Sequence, residues 1–338
     1  MRRLGALVQL VLALSLLGLI VVGPIWAWQR LTDYMAAPGP ATTDRIIDVP
    51  RGSGLASIAG ELNEAGILER PLWFQVGARL TQRDRALKAG EYVFPAAISP
   101  SGILDLLESG KTVVRRITVA EGTTVAAVMA ALGQAEGLTG DLPPAPEEGS
   151  LLPETYFYSK GDARSLVLER MTDAMDQALE RAWRQRADDL PLETPEQALT
   201  LASVVEKETG VAAERPLVAS VFMNRLRQGM RLQSDPTVIY ALTEGKADLG
   251  RPLTRADWTF ESPYNTYVAA GLPPGPIANP GLASIEAVLD PPTSNYLYFV
   301  ADGSGGHAFA RSLDEHNRNV ARWRQVQRET TAPATPGG

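Results

Sequence analysis

The chain has 338 residues, a formal net charge of −7 and 45% hydrophobic residues. That length buries a sizeable core and suggests two or three domains, while the acidic balance argues against a nucleic-acid partner, which selects a basic face. Cysteine is absent, which excludes disulfides and thiolate chemistry, and with His307 and His316 the only histidines a multi-histidine metal site is excluded. Catalysis must then rest on carboxylates, hydroxyls, amides or lysine. No G-x-S-x-G elbow occurs, and no cofactor is expected.

Arg2 and Arg3 precede an uncharged run from Leu4 to Trp28, in which Gln9 and Ser15 are the only clearly polar side chains. A helix of about 20 apolar residues spans a bilayer core, whereas signal peptides carry a shorter apolar stretch and a small-x-small cleavage site. Trp26 and Trp28 suit an interfacial aromatic belt, and the paired arginines favour a cytoplasmic start. Residues 1–35 are expected to form that start and a single transmembrane anchor, with the bulk of the chain outside the cytoplasm. A long signal sequence cut near Ala36-Ala37 is the weaker reading. Residues 36–44, rich in Pro, Gly, Ala and Thr, are expected as a linker.

Residues 45–140 carry a weak internal echo: VPRGSGLASIAGEL (Val49 to Leu62) and VAEGTTVAAVMAAL (Val119 to Leu132). Each half predicts a strand, a tight Gly turn, a hydroxyl cap and a helix. Between them the pattern predicts helices over Leu72–Leu80 and Ser101–Glu108, and strands over Glu91–Phe94 and Val113–Val119. This strand-helix-helix-strand order resembles a LysM-type glycan-binding module. A spacer without a ligand is an equal reading.

A break at Thr139 to Gly149 leads into a second region, residues 150–328. It begins with LLPETYFY, and a long helix is expected over Ser165–Arg186. The next helix starts near Glu196, with Thr194 as N-cap and Pro195 in its first turn, and Gly210 follows its end. Pro216–Gln228 gathers Leu217, Val218, Val221, Phe222 and Leu226 on one face, with Gly229 as the stop. Tyr296–Ala301 and His307–Ala310 flank DGSGG, a hairpin signal. A polar helix over Ser312–Gln327 closes the region, and residues 329–338 are expected to be a disordered tail.

The helix from Glu196 to Thr209 carries the clearest candidate chemistry. At about 100° per residue, Ala198, Leu201, Ala202 and Val205 centre its apolar stripe, and Lys207 points to solvent. Glu206 and Glu208 border that stripe on opposite sides, and periodicity does not choose between them. Both lie in the last turn, where the helix dipole disfavours negative charge, and partial burial would raise a carboxyl pKa further. Such a setting suits a proton-donating glutamate, although two surface glutamates offset by Lys207 and Arg215 fit the spacing as well.

The segment LASVVEKETG…ER…VASVFMNRLRQGMRLQSDPTVIYAL is followed by SPYNTY, GLPPGPIANPG and YLYFVADGSGGHAF. Together and in this order, over about Leu151 to Val326, these resemble the endolytic murein transglycosylase (MltG or YceG-like) family. One departure is Pro153-Glu154-Thr155-Tyr156, where the family commonly has aspartate in place of Glu154.

The resemblance implies a mixed α+β catalytic domain behind a LysM-like α+β domain and an anchor. It implies cleavage of the bond between N-acetylmuramic acid and N-acetylglucosamine within peptidoglycan strands, leaving 1,6-anhydro ends and limiting the length of nascent strands. By matching position it assigns the acid/base role to Glu206. A tethered 6-hydroxyl nucleophile replaces the second carboxylate of ordinary glycosidases. Asn224, Gln233, Ser234, Asp235, Tyr264, Asn265 and Tyr267 are the candidates for holding sugar rings. Capping competes for Asp235, core packing for Tyr264 and Tyr267, and a solvated face for Arg225, Arg227 and Arg231. Implied partners are peptidoglycan strands, the membrane through the N-terminal helix, and peptidoglycan synthases. The implied location is the inner membrane, with the catalytic part on the periplasmic side. The contrasting reading is an anchored, non-catalytic glycan-binding scaffold. Hydrolysis would instead require a second carboxylate, Glu208 or Glu154.

Overall fold

Most of the Leu4–Trp28 run lies outside the described residues, which are residue 18 and residues 21–331 of a computed structural model. Residues 21–36 form helix α1, and no helix among the described residues is long and apolar enough to cross a membrane. The chain divides into a first unit, Met1–Arg115 with Ser159–Gly161, and a second, Arg116–Tyr158 with Asp162–Gly338. The expected 45–140 region is therefore divided between the two, because α5 (Val125–Gln134) packs its apolar face into a core of the second unit.

The first unit follows the strand-helix-helix-strand order read from the sequence. Strand β1 (Arg45–Val49) leads to α2 (Leu55–Glu64) and α3 (Pro71–Leu80). It pairs antiparallel with β2 (Gly90–Phe94), Arg45 opposite Phe94 and Val49 opposite Gly90. Helix α4 (Pro100–Ser109) completes the unit, its first turn capped by the Ser99 hydroxyl, which accepts from the Gly102 N–H. Leu62, Phe74, Tyr92, Phe94, Leu104 and Leu107 are fully buried in its core. The stretch expected as a linker is packed against this core. Gly39 N–H donates to Ala97 O (3.2 Å), Ala97 N–H donates to Ala41 O (2.7 Å), and a Cβ on Gly39 would stand 2.4 Å from the Ile98 carbonyl oxygen. Only a residue without a side chain allows that approach.

In the second unit β3 (Val114–Thr118) pairs with β4 (Thr155–Ser159), β3 beginning at the unit boundary. The two halves of the sequence echo share a strand, a left-handed glycine (Gly52, φ +85°; Gly122, φ +73°) and a helix. Their caps differ: Thr124 accepts from Ala127 N–H ahead of α5, whereas α2 starts on Gly54 without the expected hydroxyl cap.

Helices α6 (Arg164–Arg184), α8 (Arg215–Arg227) and α10 (Leu282–Leu289) surround α7 (Pro195–Glu208). Thr194 caps α7 as expected, accepting from Gln197 N–H, with Pro195 in the first turn. Every residue from Ala198 to Val205 is buried, so α7 is enclosed on all sides rather than along one stripe. The polar residues within it are satisfied: Thr200 donates to Glu196 O, and Ser203 donates to Thr200 O while accepting from Ile277 N–H. Helix α9 (Asp235–Thr243) follows α8 after a short polar stretch that includes Gln233 and Ser234. The antiparallel hairpin of β5 (Tyr298–Ala301) and β6 (His307–Ala310) precedes α11 (Leu313–Thr331). That last helix extends into the segment expected as a tail, of which residues 332–338 lie outside the described residues.

Candidate active site

Residues two apart on a helix project about 200° from one another, so Glu206 and Glu208 at the end of α7 enter different surroundings. Glu206 has only 4% of its side chain exposed, and Arg215 Nη2 stands 3.0 Å from its Oε1. Its Oε2 accepts from the Gly281 N–H at 2.9 Å. Arg215 Nη2 also lies 2.7 Å from Glu121 Oε2, which makes a three-member charge cluster. Both oxygens of Glu206 are thereby engaged by donors. Lys207 is exposed, as expected, and its ammonium donates to Gly122 O.

Glu208 faces the corner formed by residues 233–237. It has no ion-pair partner among the described residues. Burial pushes its pKa up to about 7, and the nearby Asp235 charge adds to the rise. The Ser234 hydroxyl and the charges of His307 and Arg225 act in the opposite direction. Here the carboxyl is poised between acid and base near neutrality.

The corner is rigid. Gln233 adopts a left-handed φ of 51°, and its N–H donates to Thr266 O. Ser234 N–H donates to Thr266 Oγ1 (3.0 Å), and the Thr237 and Thr266 hydroxyls lie 2.8 Å apart. Ser234 occupies the N-cap position of α9, yet its hydroxyl does not cap the helix. The oxygen is buried and has no hydrogen-bond partner of its own. Close to Glu208 but outside bonding geometry, it is a donor held ready beside the carboxyl.

Asp235 is exposed, and it does not cap α9, contrary to the capping alternative. Its Oδ1 accepts from the Tyr267 hydroxyl (2.7 Å) and the Trp258 indole N–H (3.0 Å). The Tyr267 and Trp258 rings stack, 5.9 Å apart and 29° from parallel. Burial and the Asp235 carboxylate raise the Tyr267 pKa, which keeps the phenol protonated. The loop bearing Trp258 is fixed by Arg251, whose two Nη atoms stand 2.6 and 2.9 Å from the Asp257 carboxylate.

On the other side, His307 Nδ1 lies 2.6 Å from Glu214 Oε2 and the His307 backbone N–H donates to Glu214 Oε1 (2.8 Å). Burial alone would raise the Glu214 pKa; the His307 ring and backbone N–H outweigh it and hold the carboxyl low. Arg225, expected on a solvated face, is only 7% exposed. Its Nε donates to Leu297 O (2.7 Å), its Nη1 donates to Leu232 O (2.6 Å), and its guanidinium lies over the Tyr298 ring. The stem of α8 is crowded by the β5–β6 hairpin, which a helical wheel does not contain.

The remaining candidates fall outside this cluster or are occupied. Asn224 donates to the Ser294 and Tyr296 carbonyls and so ties down the approach to β5. Asn265 is fully buried, and its amide donates to Trp258 O and Phe260 O while its oxygen accepts from Tyr267 N–H. It positions Tyr267 and Trp258 from behind. Tyr264 packs on Tyr240 with ring centroids 4.9 Å apart. Glu154 is exposed on the edge of the β3–β4 sheet, where its carbonyl accepts from Val119 N–H. The GLPPGPIANPG loop is pinned by Asn279, which donates to Thr123 O and accepts from Leu151 N–H. Trp258 and Glu214 went unsingled in the sequence, since each belongs to the site only through a partner far along the chain.

The model of the YceG-like family matches residues 47–322. An endolytic murein transglycosylase of Streptococcus pneumoniae strain D39 is 30% identical over 359 residues, covering 91% of this chain and 64% of that protein. The chain thus spans just under two thirds of the length of that relative. An endolytic murein transglycosylase of Bacillus subtilis strain 168 is 32% identical over 305 residues, covering 80% of this chain and 82% of that protein. The crystal structure of a YceG-like protein from Listeria monocytogenes aligns with a TM-score of 0.51 at 30% identity, over 82% of this chain and 99% of that one. With the family pattern running through both units and across the residues that build the Glu208 corner, this chain belongs to the YceG-like family.

Proposed function

We propose that this chain is a lytic transglycosylase that cuts the N-acetylmuramic acid–N-acetylglucosamine bond inside peptidoglycan strands, with Glu208 as its acid and base. The observation that carries this reading is the Glu208 carboxyl, poised near neutrality beside the Ser234–Asp235 corner and the stacked Tyr267–Trp258 pair. The relatives named endolytic murein transglycosylase support the substrate class.

In the reaction, protonated Glu208 gives its proton to the glycosidic oxygen as the C1–O bond breaks. The resulting carboxylate stabilises the cationic anomeric carbon, then takes the proton of the sugar's 6-hydroxyl as that oxygen bonds to C1. The products are a free 4-hydroxyl and a 1,6-anhydro ring, and no water is consumed. The nucleophile is tethered to the reacting carbon, so proximity substitutes for a second catalytic carboxylate. A carboxyl with a pKa near the working pH serves both proton transfers. Glu206 is less suited, because surrendering its proton-accepting oxygens would break its contacts with Arg215 and Gly281. The exposed rims of Tyr267 and Trp258 offer an apolar face to a sugar ring, and Asp235 and Gln233 offer polar groups to its hydroxyls.

The uncharged Leu4–Trp28 run supports anchoring in the inner membrane with both units on the outer side. Held there, the enzyme would cut strands as they emerge, near the synthases that make them, and so limit strand length. The strand-helix-helix-strand unit supports a LysM-like role in holding the glycan.

Digestion of purified peptidoglycan by the full chain tests the reading. Mass spectrometry should find anhydro ends, lighter by one water than hydrolysed ends, distributed through strand interiors. Hydrolysed ends, terminal disaccharides alone, or unchanged activity in Glu208→Gln would each refute it.

A further inference from the structure

Helix α3 is amphipathic in an unusual sense: both of its faces are apolar. Phe74, Gly77 and Ala78 face the core of the first unit and are buried. On the opposite side Leu72, Val76 and Leu80 are 73%, 48% and 58% exposed, a row at four-residue spacing along the helix. Isolated exposed apolar residues need no explanation, but this row is continuous with another. Val21, Val22, Ile25, Trp26 and Trp28 on α1 are also exposed. The two helices form an apolar groove of about 490 Å³, lined by Pro24, Trp28, Leu31, Leu72, Val76 and Leu80. Contiguous apolar surface of this kind marks an interaction site.

The two helices are locked together. The Tyr34 and Trp73 rings meet edge to face at 5.8 Å, and the Tyr34 hydroxyl donates to Arg70 O. Met35 seats on Gly77, where a Cβ would come within 2.6 Å of its sulfur. Whatever depth Trp28 occupies, Leu72, Val76 and Leu80 must share. Trp28 ends the uncharged run that begins at Leu4. If that run spans the bilayer, as proposed above, its end lies at the boundary between acyl chains and headgroups. Cation–aromatic pairs surround the patch: Arg30 lies over Trp26 (5.2 Å) and Arg70 over Trp73 (5.7 Å). Such pairs suit an interface where rings meet the acyl boundary and guanidinium groups reach lipid phosphates. The segment 332–338 contains no large apolar residue and would not fill the groove.

We infer that the exposed face of α3 is a second membrane contact, with Leu72, Val76 and Leu80 inserted into the outer-leaflet interface beside the end of the anchor. This inference rests on the anchoring reading. It goes beyond it by fixing the first unit against the lipid surface rather than leaving it free on a tether. Burial of three aliphatic side chains in the acyl boundary supplies the attraction.

The absence of cysteine makes the test direct, since a single introduced thiol is unique. Leu72→Cys, Val76→Cys and Leu80→Cys, each in the full chain, would carry a nitroxide label in phosphatidylglycerol–phosphatidylethanolamine vesicles. Ile46→Cys, on the exposed outer face of the β1–β2 sheet, provides the aqueous reference. The expected result is a several-fold higher ratio of collision with oxygen over collision with a water-soluble nickel chelate at 72, 76 and 80 than at 46. Equal ratios at all four positions, in protein that floats with the vesicles, would overturn the α3 contact while leaving the anchor intact. Protein that does not float with vesicles would overturn both readings. Dipolar broadening between labels at 72, 76 and 80 that vanishes on dilution with unlabelled chain would assign the face to a second copy instead, and would also overturn the lipid contact.

Discussion

Arg215 holds Glu206 in an ion pair at 3.0 Å, one helical side away from a glutamate that has no such partner. This pairing gives two carboxylates that are neighbours in sequence different surroundings, and the role proposed for Glu208 rests on that difference. Glu206 ties the end of α7 to Arg215 and to the Gly281 backbone. Glu208 has no ion-pair partner among the described residues, and its burial outweighs the nearby His307 and Arg225 charges, which raises its carboxyl pKa towards neutral pH.

Glu208→Gln should lower the rate of anhydro-end formation by about 10²–10⁴, the usual worth of general acid–base catalysis, with little loss of stability. Glu206→Gln should behave differently. It leaves Arg215 with Glu121 alone and should cost about 1–3 kcal/mol, the order expected when one partner of a mostly buried, charge-assisted contact is removed. Thermal unfolding measured beside product assays separates the two. A Glu206→Gln protein of native stability and no activity would return the acid/base role to Glu206.

The pH dependence has a definite sign. Glu208 must be protonated to start the reaction, so kcat/KM should be high below about 7 and fall as pH rises through that value. Stability follows the same group. Its folded pKa is raised above the unfolded value, so the folded state holds the extra proton between the two. The resulting stabilisation is complete at acid pH and is lost as pH rises to about 7. Glu208→Gln should therefore gain stability relative to the native chain on going from pH 4 to pH 8, readable as converging or crossing Tm curves.

Asp235 raises the Glu208 pKa through its charge. Asp235→Asn should shift the falling limb of the pH–rate profile to lower pH and also loosen Tyr267 and Trp258, which both donate to Asp235 Oδ1. A profile that stays in place while only KM rises would restrict Asp235 to binding.

Gly149 adopts φ +85°, and a Cβ there would stand 2.5 Å from Pro276 Cβ. Neither the backbone nor the proline ring can yield cheaply, so Gly149→Ala should cost about 2–3 kcal/mol. Urea unfolding should show a lower midpoint with an unchanged slope.

Much of the local structure could be read from the chain. Thr194 and Pro195 start α7 because the hydroxyl and the missing N–H both answer the unpaired donors of a helix N-terminus. The β5–β6 hairpin follows from apolar segments flanking DGSGG. These are short-range effects, and their causes lie within a few residues. Arg225 and Asn224 could not be read in the same way, because Leu297 O, which accepts from Arg225 Nε, and the Ser294 and Tyr296 carbonyls, which hold Asn224, lie some seventy positions later. The packing of residues 36–44 was hidden for a related reason: composition reports flexibility of a free segment, whereas Ala97 and Ile98 supply the surface that packs it.

For the site itself, sequence by itself determined that catalysis would rest on carboxylates, hydroxyls, amides or lysine, and that two glutamates end one helix with an apolar stripe, followed along the chain by the polar QSDPT segment. Only the tertiary structure gave the two glutamates different surroundings, on which the proposal of Glu208 rests. Helical periodicity sets the direction in which a side chain leaves its helix, but not what waits there. The Arg215 guanidinium and the Gly281 N–H lie on one side, and the buried Ser234, the exposed Asp235 and the half-buried Tyr267 on the other. A carboxyl takes its proton affinity from that surrounding charge and water, so that affinity is set by packing between segments distant along the chain.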